Sequence, residues 1–381
     1  MVSDRRFLGK LLFSSLTLVV GAALAQDTPW HLGSLNASAN NAPSAINTAG
    51  VKPGPYEVVV AVIDAGILKG HPSLEGRLLP GYDFLHAPHN PKGGRSADFS
   101  PDPRETKCVG PTLSTSFRTH GTEIASLIAG NGREKSGVYG VNPSAKILPV
   151  RLFGACNMSR ADLLDAMSWS AGLTVAGVPN NPNPAHVINL SFSGGGAVCG
   201  PDLQALVKRL VQKKVFVVAA VGNTFGKKLA EPANCEGVIS VGAIDPENNI
   251  ESYSALDART VIYAPGGGRR LNEDSSWQAN KLKVASFDVD AKGEENPVGL
   301  ARGVGTSYAA PLVSGFISLL LSHRPMMTPA EFQARLPQYS RAVNSDAHCA
   351  ECTPRGLVLT NVAALVREPS SYIKTDTLLR S

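Results

Sequence analysis

The sequence lacks basic clusters. No run of lysine or arginine exceeds two residues and none alternates with aromatics, while 36 Lys and Arg against 31 Asp and Glu leave a net charge of +5. Asp4, Arg5, Arg6 and Lys10 supply +2 of it, which leaves about +3 for the rest. So weak and scattered a charge excludes a nucleic-acid partner and a membrane-surface stripe. Long apolar runs are equally scarce. The run at 11–20 falls short of the roughly 20 residues that a bilayer span requires, and no other segment comes closer. Glycine (37) and proline (27) are plentiful but follow no G-X-Y period, which excludes a collagen and leaves a globular chain rich in turns. There is no internal repeat and no low-complexity tract.

Residues 1–25 have the parts of a signal peptide: a basic start with Arg5, Arg6 and Lys10, the apolar run, then Ala23-Leu24-Ala25. This predicts cleavage after Ala25 and a secreted or periplasmic protein with no stable membrane anchor. The paired arginines partly match a twin-arginine signal, but Gly9 stands where a second apolar residue is expected. The six cysteines, an even number in an exported chain, point to disulfides whose pairing the residues alone leave open. Cys349-Ala-Glu-Cys352 is a CxxC without a second CxxC, a His pair or a thioredoxin-like strand. A structural bond is therefore expected there rather than zinc or redox chemistry.

From residue 58 onward, apolar runs of strand length at 58–63, 147–150, 187–192, 215–220, 238–241 and 261–264 alternate with helix-like segments at 121–130, 160–175, 202–213 and 308–322. Unbroken apolar strands belong in a sheet covered on both faces. The alternation predicts an α/β fold: a doubly wound, mostly parallel sheet with helices on both faces. The stretches 86–119 and 265–302, rich in Gly, Pro and charge, are predicted to be long loops, and 26–57 a polar segment that wraps the surface or is partly disordered.

Four positions carry candidate chemistry. Asp64 ends an apolar strand, where open α/β sheets place their ligands, although a turn Asp would look the same. His120 opens an apolar-periodic helix beside small residues. Ser307, in Gly303-Val304-Gly305-Thr306-Ser307-Tyr308-Ala309-Ala310-Pro311, precedes another helix, with Pro311 expected in its first turn. It is either an N-cap or a nucleophile whose oxyanion gains from the helix's free N–H groups. Asn223 follows the strand at 215–220 and is either a turn residue or an oxyanion donor. The neighbouring Gly222-Asn223-Thr224-Phe225-Gly226-Lys227 is one residue short of a phosphate loop and lacks its Ser/Thr.

Taken together, the order Asp, His, Asn, Ser resembles the subtilisin (subtilase) family of peptidases over about residues 56–366. Val62-Ile63-Asp64-Ala65-Gly66, His120-Gly121-Thr122 and Gly305-Thr306-Ser307-Tyr308-Ala309-Ala310-Pro311 resemble its Asp, His and Ser motifs. The segment 187–194 resembles its substrate-binding strand, and 356–365 its closing segment. The resemblance implies a serine endopeptidase: Ser307 as nucleophile, His120 as general base and acid, Asp64 orienting it, and Asn223 in the oxyanion hole. Ser191, Phe192 and Ser193 would pair with substrate backbone, and Ala220, Val221 and Gly222 would line the pocket before the cut. Protein or peptide substrates are the expected partners of a chain expected to be a monomer. An α/β-hydrolase esterase is excluded, since there is no G-x-S-x-G and that fold runs in the order Ser, acid, His. A degenerate subtilase-fold binding protein is the alternative.

The same resemblance pairs Cys108 with Cys156, Cys199 with Cys235 and Cys349 with Cys352. It divides the chain into a signal peptide (1–25), an N-terminal segment too short for the family's propeptide (26–55), a catalytic domain (56–366) and a tail (367–381). No cofactor is expected in the chemistry. Structural calcium is the candidate ion, with Asp83, Asp98, Asp102 and Glu105 as oxygen donors. Some residues depart from the family pattern. Ala65 lacks the usual hydroxyl beside the aspartate, predicting a looser Asp64. Glu123 stands where a second histidine is usual, Val221 replaces an alanine, which predicts a narrower pocket, and Tyr308 replaces methionine without an expected loss of activity.

Overall fold

Six of the apolar runs form neighbouring strands. The computed structural model describes residues 30–32, 48, 51–86, 90, 92–102, 118–132, 138–154, 158–194, 196–226, 228–257, 259–268, 281–289, 294–343 and 357–359. Within these lie the strands β1 (Val59–Asp64), β2 (Tyr82–Asp83), β3 (Lys146–Arg151), β4 (Val187–Leu190), β5 (Phe216–Ala220), β6 (Ile239–Ile244), β7 (Ile262–Pro265), β8 (Leu282–Val289), β9 (Glu295–Gly303), β10 (Ser340–Ala342) and β11 (Leu357–Leu359). Nine of them make one sheet in the order β10-β11-β7-β6-β5-β4-β1-β3-β2, parallel throughout except for the antiparallel β10–β11 pair. Strands β8 and β9 form a separate antiparallel hairpin.

The helices are α1 (His120–Ala129), α2 (Arg160–Ser170), α3 (Pro201–Gln212), α4 (Thr306–His323) and α5 (Pro329–Tyr339). Each central strand sends alternate side chains to opposite layers. Val60 and Val62 of β1 join the core under α1, α4 and α5, whereas Val59, Ala61 and Ile63 join the core under α2 and α3. The period of two thus serves two buried faces at once, which is why these runs are apolar at nearly every position, with Asn189 and Ser240 as buried polar exceptions. Each fully buried Val, Ile or Phe contributes roughly 1.5–3 kcal/mol.

Four expectations are corrected. The stretch 265–302 is no loop over its described part, because β8 and β9 lie within it. Its hairpin pattern is obscured by a register shift between Val284 and Ser286, which breaks the alternation of faces. Helix α2 stops at Ser170 instead of reaching 175: Asn181 Nδ2 caps the carbonyls of Trp169 (3.0 Å) and Ser170 (3.2 Å), and Gly172 turns away with φ +74°. Helix α4 starts at Thr306, so Pro311 lies inside it and removes the bond to the Ser307 carbonyl. In the segment 26–57, His31 and Leu32 are buried rather than spread over the surface. The end of that segment is fastened to α4, with Gly54 N–H donating to Ser322 Oγ (2.8 Å) and Tyr56 N–H to the Ser322 carbonyl (3.1 Å).

Candidate active site

Strand β1 carries Asp64 to the carboxyl edge of the sheet at the point where the order switches, with β3 on one side and β4 on the other. Open α/β sheets bind their ligands at such switch points. Asp64 is fully buried, and the Ala65 backbone N–H donates to its Oδ1 at 2.7 Å. Main chain thus supplies a bond at the position where Ala65 lacks a hydroxyl.

Helix α1 starts directly over this carboxylate. A Cβ on Gly121 would lie 2.2 Å from the Gly66 carbonyl oxygen and 3.2 Å from Asp64 Cβ, so only glycine lets the helix approach so closely. His120 Nδ1 lies 2.9 and 3.0 Å from the two Asp64 oxygens. That contact assigns the proton to Nδ1 and leaves Nε2 as the acceptor of the neutral ring. Burial disfavours the imidazolium, but the charge and hydrogen bond of Asp64 and the field of Glu123 outweigh it. The pKa of His120 is raised as a result.

Ser307 is half-buried at the start of α4. Gly305, which precedes the helix at φ +143°, marks the space beside it: a Cβ there would fall 3.0 Å from Asn223 Nδ2 and 3.3 Å from Ser307 Oγ. Hydroxyl and amide therefore flank one small opening that a larger residue would close. Asn223 Oδ1 accepts from the Thr306 N–H (2.9 Å) and from Thr306 Oγ1 (3.0 Å), which turns Nδ2 toward the opening. Thr306 Oγ1 in turn accepts the Gly222 N–H at 3.1 Å.

Residues 191–193 and 220–222 continue from the adjacent strands β4 and β5. Ser191 Oγ accepts from Asn189 Nδ2 (2.9 Å), Phe192 stands edge-on to Phe153 with centroids 5.4 Å apart, and Ser193 Oγ lies 3.4 Å from the Val221 carbonyl. Ala220 and Val221 are fully buried, Val221 against Leu229 and Ala255. What 220–222 offers outward is therefore main chain and the bare Cα of Gly222.

Cys199 and Cys235 are joined in a disulfide. Cys108, Cys156, Cys349 and Cys352 lie outside the described residues. Two of the calcium candidates, Asp83 and Asp98, are paired with the protein's own cations. Asp83 is buried against Arg151, accepts from the Leu85 N–H (2.9 Å) and Asn90 Nδ2 (3.1 Å), and has its pKa raised because burial outweighs Arg151. Asp98 is paired instead with Lys69 (2.7 Å) and Lys92 (3.1 Å). Burial opposes ionisation of Asp98, but the bonds from Lys69, Ser100 and Lys92 prevail and lower its pKa. The protein's own cations thus occupy carboxylates that calcium would need, and no three His, Cys, Asp or Glu among the described residues converge on a metal position. Asp102 is buried, and Glu105 lies outside the described residues.

With this geometry in view, the chain belongs to the subtilase family, whose pattern residues 56–350 match. It is 36% identical over 277 residues to an extracellular basic protease of Dichelobacter nodosus, covering 70% of this chain and 43% of that protein. To an extracellular protease of Xanthomonas campestris it is 32% identical, covering 82% of this chain and 52% of that one. The chain thus spans about half the length of these two relatives. Among solved structures, a protease from Pseudoalteromonas arctica superposes with a TM-score of 0.68 at 30% identity, covering 84% of this chain and 93% of that one. The fold expected from the apolar pattern is the subtilisin-like α/β fold of these neighbours.

Two contributors escaped the sequence. Thr306, which orients Asn223, sits inside the Ser motif but has no chemistry of its own to advertise. Ser286, from the unforeseen hairpin, reaches Glu123 beside the site, and only the tertiary contact reveals it.

Proposed function

We propose that this chain is an exported serine endopeptidase whose 56–366 segment cleaves protein or peptide substrates through an acyl-enzyme on Ser307. The observation that carries the proposal is the alignment of Asp64 on His120 Nδ1, at 2.9 and 3.0 Å, together with Ser307 Oγ and Asn223 Nδ2 around the Gly305 opening. In this reading Ser307 Oγ bonds to the scissile carbonyl carbon while its proton passes to His120 Nε2. The carbonyl π pair moves onto oxygen, where Asn223 Nδ2–H and the Ser307 N–H stabilise it. Collapse breaks the C–N bond and returns the proton from His120 to the departing amine. Water then repeats the cycle on the ester. Asp64 holds the imidazole and balances its transient charge without itself taking the proton. No step calls on a cofactor.

Residues 191–193 are the edge on which an extended substrate adds as a strand, with 220–222 beside it. Export is supported by the names of the two extracellular relatives. A serine-directed phosphonyl probe is expected to label Ser307 in the folded chain, and Ser307→Ala to reduce casein hydrolysis by about 10⁶-fold, the loss seen when subtilisin loses its nucleophile. Full casein hydrolysis by Ser307→Ala overturns the assignment. A folded chain that resists labelling is a binding protein on this fold.

A further inference from the structure

The carboxylate of Glu123 lies three residues after His120 on α1, only 7% exposed, and takes no part in the steps above. It accepts three side-chain hydrogen bonds: Tyr308 Oη to Oε2 at 2.5 Å, Ser286 Oγ to Oε1 at 2.8 Å and Thr119 Oγ1 to Oε1 at 2.6 Å. These donors come from three places, namely α4 immediately after Ser307, the β8 strand, and the residue before His120. Tyr308 also meets the His120 ring edge-on, with centroids 5.6 Å apart and planes at 76°. The two departures from the family pattern at 123 and 308 are therefore one contact rather than two independent substitutions. A buried carboxyl group with three hydroxyl donors is a costly arrangement unless it is fully satisfied, and one that then fixes its surroundings.

We infer that Glu123 and Tyr308 form a positioning unit for His120: the carboxylate anchors the Tyr308 ring against the imidazole and brackets it, with Asp64, between two acidic groups. This rests on the reading of His120 as general base. Ser286 extends the unit into the hairpin, because its carbonyl accepts from His71 Nε2 at 2.9 Å while His71 Nδ1 accepts the Ser73 N–H at 3.1 Å. The neighbouring Ser126 Oγ accepts the Ala285 N–H at 3.0 Å, so α1 and β8 are joined at Ser126 as well as at Glu123.

The charged and titratable groups around the imidazole are Asp64 from β1, Glu123 on its own helix and Tyr308 from α4. Arg118, Asp288 and Arg302 line the cleft of about 600 Å³ that opens beyond Glu123 and Tyr308. Burial and then the charge and hydrogen bond of Glu123 raise the Tyr308 pKa well above that of a free phenol, so its hydroxyl stays a donor across the working range. The field of Glu123 favours the imidazolium.

The sign follows from these contacts. In the full chain, Glu123→Gln removes the charge but keeps an acceptor oxygen. The acid limb of the kcat/KM profile on labelled casein is expected to move to lower pH by on the order of 0.5–1 unit, with the plateau falling about tenfold. Tyr308→Phe removes only the hydroxyl and is expected to lower the plateau as well. Because both variants weaken the same Tyr308–Glu123 contact, one by its charge and the other by its hydroxyl, their losses in the double variant should fall well short of the product of the single losses. An acid limb of Glu123→Gln coincident with that of the parent, or losses that multiply independently, overturns the inference. Either result with Ser307 still labelled by the phosphonyl probe leaves the endopeptidase reading standing, whereas loss of labelling in the parent removes that reading itself. Equal thermal midpoints of the variants and parent establish that the rates compare folded proteins.

Discussion

At the scale of single residues, the site is made of side chains that have been deprived of alternatives. Asn223 is held in orientation, because Thr306 bonds its Oδ1 with two donors and Nδ2 is left facing the Gly305 opening. Asn223→Ala should therefore reduce kcat by about 10²- to 10³-fold with little change in KM, the order observed for loss of one such donor in subtilisin. Steady-state kinetics on casein check this, and a loss confined to KM would mean that Asn223 binds substrate without stabilising the transition state. Asp64, His120, Asn223 and Ser307 are legible in the sequence because each sits at the end of a strand or the start of a helix within a recognisable string. Glu123 and Tyr308 are visible there only as departures. Their contact spans 185 positions of chain, and no local pattern encodes it.

At the scale of elements, α4 is the piece on which the site depends, since it carries Ser307 at one end and crosses the core beneath the sheet. It runs close to α1 at Gly315, where a Cβ would lie 2.7 Å from Val141 Cβ and 3.4 Å from Ile128 Cα. Gly315→Ala sets a gain of about 0.5–1 kcal/mol in helix propensity against an overpacking cost of roughly 1–3 kcal/mol. The nearest atom is a Cβ rather than the tip of a flexible side chain, so the cost should prevail. The urea midpoint is expected to fall at an unchanged m-value, and a midpoint equal to or above that of the parent would mean that the two helices separate freely. The central strands and the helices α1 to α4 are legible as continuous apolar runs and periodic stretches. The β8–β9 hairpin is not, because its register shift disrupts the two-residue period. Helix α5 also carries a local signal, the capping box of Thr328 and Glu331, in a segment interrupted by Pro337.

At the scale of the whole molecule, stability rests on two cores back to back, with a covalent brace on the α3 side. The Cys199–Cys235 bond closes a loop between positions 36 apart, which restricts the unfolded chain. By chain entropy, its removal in a Cys199→Ser/Cys235→Ser variant should cost about 3–4 kcal/mol. Denaturant titration under oxidising conditions checks this, and a loss below the measurement error would show that the unfolded chain is already constrained there. The same scale explains why Asp83 and Asp98 do not converge on one ion. Asp83 is drawn inward by Arg151 of β3, while Asp98 is held at the surface by Lys69 and Lys92. Sequence proximity of carboxylates is a poor guide to their convergence when lysine and arginine from other elements compete for them.

The sequence by itself determined the class of the sheet and the succession of its central strands and helices along the chain, and it singled out Asp64, His120, Asn223 and Ser307 as the candidates at strand ends and helix starts. Those depend on burial and on chain-local geometry, which apolar runs, glycines and helix starts record directly. Only the tertiary structure decided which carboxylates face cations, that Thr306 orients Asn223, and that Glu123 joins Tyr308, Ser286 and Thr119 beside His120. Such choices are made by charge and hydrogen bonding between elements far apart in the chain, where the energy depends on distances that no stretch of sequence contains.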